Sequence, residues 1–584
     1  MAGDSSSAET EPPVNRTASL LTGERAVVGL VLARVLFSLP LSLLSHGVSL
    51  LLLSLSAFLL EIRAETLPFL LSRFASRRGA TSGILLGAVT LPAVMISKLI
   101  QLTRALSMHE AEQEEFEHVT MQYWATSASC CAILIFLSVI MSKSSRSQPS
   151  SSCVWVTRVS LSATVLYGAS CFISLSMISH TGLNTALKLL WMLFHGLAAV
   201  KLIQHLLRTF PSCASMGEAL LMTSGLVLYF GDLLACTIAK IFEKLVPVDL
   251  VSISYGMKRT EIGIIVQGLL LGLLLFPMFF KLIMHTYKSS LRKKDSQQRN
   301  PSEIEKSAIF IVSLGFIMAV VAPSWMQFVH DFHQHPFLWV FTFVFSEPLK
   351  RLTLCIYWVL LIIASVWRFY NISRNSKIER ILLRKYYHLM AVLMFLPALV
   401  LQPKFLDLAF GVALAVFLAL EIIRVWRIWP LGKPLHQFMN AFTDHRDSDI
   451  LIVSHFSLLM GCALPIWMSS GFNDRPLSPF AGILSLGIGD TMASVVGHKY
   501  GVLRWSKTGK KTVEGTAAGI TSVMAVCFVL VPVLASTGFY ILTTQEEKWV
   551  SLLVAVTGSG MLEAYTAQLD NAFIPLVFYS LLCL

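Results

Sequence analysis

The apolar run IGIIVQGLLLGLLLFPMFFKLIMH covers residues 262–285 and carries one lysine, Lys281, near its end. About 20 apolar residues are enough for a helix to cross a bilayer. Such runs recur along a chain of 584 residues that is 55% hydrophobic and 14% charged, whereas charged residues make up about 25% of a soluble domain. The sequence therefore predicts an all-α, polytopic integral membrane protein with about 15 transmembrane helices.

Five regions are predicted from these runs and from the polar segments between them. They are a disordered polar N-terminus at 1–25, an N-terminal transmembrane region at 26–287, a basic cytosolic linker loop at 288–306, central transmembrane helices at 307–370 and a C-terminal region at 371–584. The apolar run at 337–347 is too short to span a bilayer and is predicted to be re-entrant or interfacial.

Composition also argues against several classes of protein. The ten cysteines are scattered and form no CxxC pair, so a disulfide framework or a zinc site is not expected. The net charge of +12 comes from basic residues in short loops between apolar runs. That placement is typical of the positive-inside rule and does not indicate a nucleic-acid partner. Residues 1–25 lack the apolar core of a cleavable signal peptide.

Three basic loops lie in the last third of the chain, at 371–385, 424–446 and 499–511. Two predicted spans separate each loop from the next, so all three should lie on one side, which the positive-inside rule makes cytosolic. Two further spans return residues 563–571 to about the same side. A one-sided positive cluster suits a polyanionic substrate. The positive-inside rule explains the lysines and arginines equally well, but not the polar residues among them.

The segment GIGDTMASVVG at 487–497 places an acidic residue in a predicted span. Its candidate binding residues are Gly487, Gly489, Asp490, Thr491, Ser494 and Gly497. Glycines allow backbone N–H groups to approach phosphate oxygens, the hydroxyls could donate to them, and Asp490 could hold Mg²⁺. The segment matches neither GxGxxG nor a P-loop. Helix packing by small residues, with an interhelical bond to the aspartate, is the alternative.

A lysine-rich loop follows one helical hairpin later. Its candidate residues are Lys510, Lys511, Thr512, Glu514, Gly515 and Thr516. Lysine is a mobile point charge that suits phosphate, and this loop should meet Asp490. The alternative is an ordinary basic loop flanking the membrane, although Glu514 against the bilayer fits that interpretation less well.

Two pairs of polar residues could complete a site. Lys385 and His388 are spaced i, i+3, which places them on one helix face. Glu563 and Asp570 are seven residues apart and would face one stripe of a single helix. Such carboxylates could steady lysines, hold a second metal or accept a hydroxyl proton. Glu421 and Arg424 also have i, i+3 spacing, and for them an intrahelical ion pair is the expected interpretation.

A set of segments in this order resembles the dolichol kinase family over roughly residues 380–575. The segments are RKYYHLMAVLMFLP, LEIIRVWRIWPLG, DHRDS, HFSLLMGCALPIW, GIGDTMASVVG, KKTVEGT and LEAYTAQLDN. The resemblance implies that 371–584 is a CTP-dependent lipid kinase region that phosphorylates dolichol to dolichyl phosphate. It also implies a site on the cytosolic face of the endoplasmic reticulum membrane, supplying the lipid carrier for protein glycosylation. The family's CTP loop falls on 487–502, and KKTVEGT carries over as a phosphate-contacting segment.

Roles follow for individual residues. We expect Asp490 to hold Mg²⁺, and Asp570 or Glu563 to act as base or as second metal ligand, with Lys385 and His388 at the reacting groups. The expected ligands are CTP, Mg²⁺ or another divalent cation, dolichol or a related polyprenol, and the bilayer. The alternatives are a polyprenol or phytol kinase, a phosphatidate cytidylyltransferase, or a secondary transporter. The sequence identifies no protein partner and no role for the N-terminal half.

Overall fold

The structure is a computed structural model, and it confirms the all-α fold. It describes residues 22–66, 77, 82–144, 151–178, 182–245, 259–294, 301–375, 380–440, 453–469, 474–505, 511–537 and 546–584. Within these ranges every regular element is helical, and the β-structure is one isolated bridge between Arg504 and Thr512. The predicted disorder at 1–25 lies almost entirely outside the described residues, as does Lys510.

Eight helices form the N-terminal part. They are α1 (Gly23–Phe37), α2 (Leu44–Thr66), α3 (Ile84–Ser107), α4 (Gln113–Ser144), α5 (Ser151–Ile178), α6 (Gly182–Thr209), α7 (Met216–Leu245) and α8 (Glu261–Lys294). Twelve follow. They are α9 (Glu303–Phe316), α10 (Ala322–Val329), α11 (Pro336–Ser346), α12 (Pro348–Asn375), α13 (Arg380–Leu401), α14 (Pro403–Trp426), α15 (Gly432–Asn440), α16 (Val453–Met468), α17 (Thr491–Tyr500), α18 (Val513–Ser536), α19 (Glu546–Tyr565) and α20 (Asp570–Leu582).

The helix lengths agree with a polytopic membrane protein. Among the described residues, ten helices are long and apolar enough to cross a bilayer, and six further apolar helices have 10–17 residues. The predicted number of about 15 spans is therefore not confirmed. The run at 337–347 forms the short helix α11, in agreement with its length.

Local sequence signals explain several helix ends. Ser302 and Glu305 form a capping box at the start of α9, inside the region predicted as a linker loop. Thr512 caps α18 by accepting a hydrogen bond from the N–H of Gly515. Between α1 and α2 the chain is interrupted at Pro40, which precedes a short 3₁₀ turn, Leu41–Leu43.

Buried polar contacts define the two ends of the bundle. At one end, which we call the Arg77 end, Arg77 contacts Glu218 at 2.7 Å and Ser215 bonds to Gln568. At the other, the Arg104 end, Arg104 contacts Asp474 at 2.9 Å. Helix α3 runs between these ends, and 94% of its apolar stretch is buried. Because one hydrophobic core includes residues from both halves of the chain, α3 connects the halves instead of bordering lipid.

Candidate active site

Asp490 ends an eight-residue π-helical segment, Ile483–Asp490, that leads directly into α17. Such segments are rare and are found mostly at functional sites. Within it, Gly487 lies against α13, where a Cβ atom would approach Val392 Cγ2 to 2.2 Å and His388 O to 3.3 Å. A glycine is therefore required for the close contact that brings α13 beside Asp490. The carboxylate itself is almost fully buried.

Two residues of α13 hold the Asp490 carboxylate. Lys385 Nζ lies 2.5 Å from both carboxylate oxygens, and His388 Nδ1 lies 3.0 Å from Oδ2. The i, i+3 spacing thus places both side chains on the face that meets Asp490, as predicted. His388 Nδ1 is also 3.2 Å from Leu486 O, and Ser494 Oγ is 3.5 Å from Asp490 Oδ1. An anion this deep in a membrane bundle needs such partners.

Lys511 lies beside the same group of helices, just before α18. Its Nζ donates to the carbonyl oxygen of Glu563 and lies 3.4 Å from Asp570 Oδ2. A cation at the C-terminal turn of α19 is favourable because the free carbonyls there carry partial negative charge. Burial lowers the pKa of Lys511, but the carboxylates of Asp570, Glu563 and Asp490 more than offset this and raise it above its ordinary value. The lysine is therefore charged at neutral pH.

The prediction that Glu563 and Asp570 share one helix is wrong. Helix α19 ends at Tyr565 and α20 begins at Asp570, which places the two carboxylates on either side of a break. The break arises because Thr566 Oγ1 accepts the backbone N–H of Gln568, a local bond that competes with the helical pattern. Both residues nevertheless meet Lys511, and Asp570 lies in the first turn of α20, where a negative charge is favourable.

These residues form a single charged group, which we call the Asp490 cluster. Its members are Lys385, His388, Asp490, Lys511, Glu563 and Asp570. Glu563 interacts electrostatically with Asp490, Asp570, Lys385 and Lys511. Of the segments predicted to converge, those that carry Lys385, Asp490, Lys511, Glu563 and Asp570 meet here. Behind Asp570, Asn571 Nδ2 bonds to Ser457 Oγ of α16 at 3.2 Å, a contact that the sequence analysis missed.

The remaining glycines of the two motifs lie where α17 packs against α18. A Cβ atom on Gly515 would lie 2.6 Å from Ala493 O and 3.0 Å from Gly497 Cα. Gly489 is also buried, and its Cβ would lie 3.3 Å from Val523 Cγ2 of α18. These positions match the small-residue packing that the sequence left open. Contact of their N–H groups with phosphate stays a prediction.

The polar residues of the second motif hold the turn between α17 and α18. The Glu514 carboxylate accepts the N–H of Leu503 at 3.0 and 3.2 Å. Thr516 Oγ1 accepts from Trp505 Nε1 at 2.9 Å and donates to Thr512 O at 3.1 Å. Thr491 Oγ1 lies 3.5 Å from Lys385 O, on the side of the Asp490 cluster. Among the described residues of the second motif, Lys511 is thus the one that contacts the cluster directly.

Replacing Gly515 by valine is expected to destabilise the bundle by about 1–3 kcal/mol, because the added carbons would overlap Ala493 O and the α17 backbone. The measurement is thermal unfolding of the purified protein in detergent. Gly29→Val is the matched control, because no heavy atom lies within 4 Å of a Cβ built on Gly29 in α1. Equal melting temperatures for the two variants would contradict the close packing of α17 on α18.

The expected intrahelical pair at the end of α14 is confirmed. Arg424 donates to the two carboxylate oxygens of Glu421 at 2.6 and 2.8 Å, and both side chains are buried. This pair satisfies its own charges within one helix. In the Asp490 cluster, by contrast, the charges come from five different helical segments and loops. A substrate with several negative charges could therefore replace the ion pairs between these segments.

Comparison with known proteins identifies the family. The family model described as dolichol kinase matches residues 28–520. The chain belongs to the dolichol kinase family. The match includes α1–α8, so membership of the dolichol kinase family extends well beyond the segments at 380–575 that carry the sequence resemblance. The N-terminal half is thus part of what relatives of this family share.

Individual dolichol kinases agree with this assignment. The chain is 81% identical over 567 residues to dolichol kinase EVAN of Arabidopsis thaliana, covering 97% of this chain and 99% of that protein. It is 29% identical over 526 residues to human dolichol kinase, covering 87% of each. With the dolichol kinase of Saccharomyces cerevisiae it shares 32% identity over 273 residues, 46% of this chain and 48% of that one. No solved structure matches the chain.

Proposed function

We propose that this protein transfers the γ-phosphoryl group of CTP to dolichol, forming dolichyl phosphate for protein glycosylation at the endoplasmic reticulum membrane. Family membership and the names of the relatives support the acceptor and the kinase activity. The observation that carries the proposal is the Asp490 cluster, in which one buried carboxylate is held by Lys385 and His388 beside Lys511 and Asp570. The donor is proposed from the sequence resemblance.

The charges of the cluster suit a nucleoside triphosphate with its metal ion. Three carboxylates are balanced in part by two lysines, and each lysine contacts one of the carboxylates. When phosphates enter, Lys385 and Lys511 can turn to them, because lysine is a flexible point charge. That exchange would free Asp490 and Asp570, oxygen ligands of the type that Mg²⁺ prefers. Bound Mg²⁺ would neutralise phosphate charge during transfer.

The chain's own residues can then serve an in-line displacement. The dolichol hydroxyl oxygen forms a bond to the γ-phosphorus while the bond from that phosphorus to the β–γ bridging oxygen breaks, releasing CDP. A cluster carboxylate, Glu563 or Asp570, accepts the hydroxyl proton, while Lys385 and Lys511 stabilise the transferring phosphoryl group. Because such transition states are loose, catalysis depends mainly on position and charge. The helices keep these groups close to the lipid that carries the hydroxyl.

The location of the cluster supports access from the cytosol. The cluster lies at the Arg77 end of the bundle, because Asp570 follows the segment that Arg77 contacts. The basic loops at 371–385, 424–446 and 499–511 are predicted from the sequence to lie on one side, which the positive-inside rule makes cytosolic. CTP would then arrive from the aqueous phase at that end, while the long isoprenoid chain stays in the bilayer. Labelling of a single engineered cysteine in one of these loops, in sealed microsomes, would test the orientation.

Purified protein incubated with dolichol is expected to transfer label from γ-labelled CTP, but not from α-labelled CTP, to the lipid. A cytidylyltransferase, the main alternative, would move the α-label into a CDP-lipid and release pyrophosphate. Phytol, polyprenol and diacylglycerol as parallel acceptors distinguish dolichol kinase from its lipid-kinase relatives. Incorporation of α-label, or preference for diacylglycerol, would contradict the proposal.

A further inference from the structure

The break between α19 and α20, residues 566–569, sets the relative position of two cluster carboxylates. Glu563 lies in the last turn of α19, and Asp570 is the first residue of α20. Any change in the path of these four residues moves one carboxylate against the other and against Lys511. The inference drawn from this break deepens the proposed kinase function and rests on it.

Arg77 holds the break from the N-terminal half of the chain. Its Nη2 donates to Glu218 Oε1 at 2.7 Å and to the backbone carbonyl of Ala567 at 3.0 Å. The other Glu218 oxygen accepts the N–H of Ser215 at 2.8 Å. The side chains of Arg77 and Glu218 are 11% and 5% exposed. A guanidinium held between the buried Glu218 carboxylate and a backbone carbonyl of the break is poorly placed to bind nucleotide and well placed to fix the backbone.

Gln568 secures the break from a second direction. It is fully buried, and Ser215 Oγ donates a hydrogen bond to its Oε1. Gln568 also packs against Gly83, whose φ of +61° and close approach leave no room for a side chain, since a Cβ atom would lie 2.4 Å from Gln568 Cδ. The break therefore packs against the residues that begin α3 and α7, not against its own helices alone.

We propose that Arg77, Glu218 and Gln568 are positioning residues for phosphoryl transfer, holding the break so that Glu563 and Asp570 both face Lys511. Arg77 and Glu218 lie in the N-terminal half, for which the sequence indicates no catalytic role, and Gln568 lies in the break itself. In this role the N-terminal half holds the backbone between Glu563 and Asp570 in place during the reaction. Nothing in it requires Arg77 to touch CTP or lipid.

The first test is Arg77→Gln in full-length purified protein, assayed with γ-labelled CTP and dolichol. Small displacements of catalytic groups can cost about 100-fold in rate, so kcat is expected to fall by about 10- to 100-fold. The KM for CTP should change by less than about threefold, because Arg77 makes none of the contacts that bind CTP equally in the ground state and the transition state. Arg77→Lys keeps the charge and one nitrogen that can donate to both acceptors, but not the planar guanidinium, and it should lose less, about three- to tenfold in kcat.

Arg104→Gln is the matched control. Like Arg77, Arg104 pairs with a carboxylate, that of Asp474, and donates to a backbone carbonyl, that of Cys583, but it does so at the Arg104 end. Removing it should lower the melting temperature as Arg77→Gln does while leaving kcat per folded enzyme within about twofold of wild type. An equal kcat loss in both variants would reduce Arg77 to a general stabilising residue and overturn the proposal.

A double-mutant cycle provides the second test. Glu218→Gln should reproduce the kcat loss of Arg77→Gln, and the double variant should lose no more than either single one, because both act through the same backbone contact. Multiplied losses would overturn the proposal. If instead the wild-type protein transfers no γ-label from CTP to dolichol, the proposed function is wrong. The wild-type assay therefore distinguishes failure of the proposed function from failure of the positioning role.

Discussion

Asp490→Asn is expected to lower CTP-dependent phosphorylation of dolichol by at least about 10²- to 10³-fold, the cost of removing one preorganised electrostatic group from an active site. The substitution keeps the size of the side chain but removes the charge that Lys385 and His388 both contact. It also removes the proposed metal ligand. The measurement is transfer of γ-label to dolichol per amount of correctly inserted protein.

Asp474→Asn is the matched control for this variant. Like Asp490, Asp474 is held by a cation and by a second side-chain nitrogen, here those of Arg104 and Gln101, yet it lies at the Arg104 end. The Lys385–Asp490 pair is more deeply buried than the Arg104–Asp474 pair, and breaking either should lower the melting temperature, but only Asp490→Asn should lose turnover. Asp490→Asn protein with more than half of wild-type turnover would contradict the role assigned to this carboxylate.

The convergence of the Asp490 cluster could be predicted from the sequence because each membrane crossing moves the chain to the opposite side of the bilayer. Two spans between basic loops return the chain to the same side, so Lys385, Asp490 and Lys511 had to lie near one end. The apolar run lengths likewise determined the all-α class, since only helices or closed barrels satisfy backbone polar groups in lipid. Neither argument needs knowledge of how the helices pack.

The local backbone of the site could not be predicted in this way. Hydropathy treats 483–490 and the following residues as one continuous span, because a π-helical segment has the same composition as an α-helix. The path of the break at 566–569 is equally invisible to hydropathy, because the local bond from Gln568 N–H to Thr566 is supplemented by contacts with Ser215 and Arg77, which lie hundreds of residues away in sequence. Periodicity reports on one helix at a time, whereas these features are decided by contacts between helices.

The motif at 487–497 shows a related limit. Its glycines are equally compatible with phosphate binding and with helix packing, and spacing alone cannot separate the two. The structure shows Gly487 against α13 and Gly489 with Gly497 against α18. The glycines of this segment are therefore explained by the close approach of neighbouring helices. The same close approach places Lys385 beside Asp490.

Glu563→Gln and Asp570→Asn are expected to fail in different ways. Asp570 already contacts Lys511 through its carboxylate and lies at a helix N-terminus, where negative charge is favourable, and we assign it to the metal ion. Lys511 meets Glu563 through the backbone carbonyl, and among the described residues no side chain donates a hydrogen bond to the Glu563 carboxylate. Glu563 is therefore the better candidate to accept the hydroxyl proton.

Glu563→Gln should lower kcat by about 10²- to 10⁴-fold, the usual contribution of a general base, with little change in the Mg²⁺ concentration needed for half-maximal rate. Asp570→Asn should instead raise that Mg²⁺ concentration, because a carboxylate ligand is lost. Titrating Mg²⁺ at fixed CTP and dolichol separates the two effects. The reverse pattern, with the metal requirement following Glu563 and the plain rate loss following Asp570, would exchange the two assignments. The break held by Arg77 makes such a division of roles possible, since it lets two carboxylates from successive helices approach one lysine from different sides.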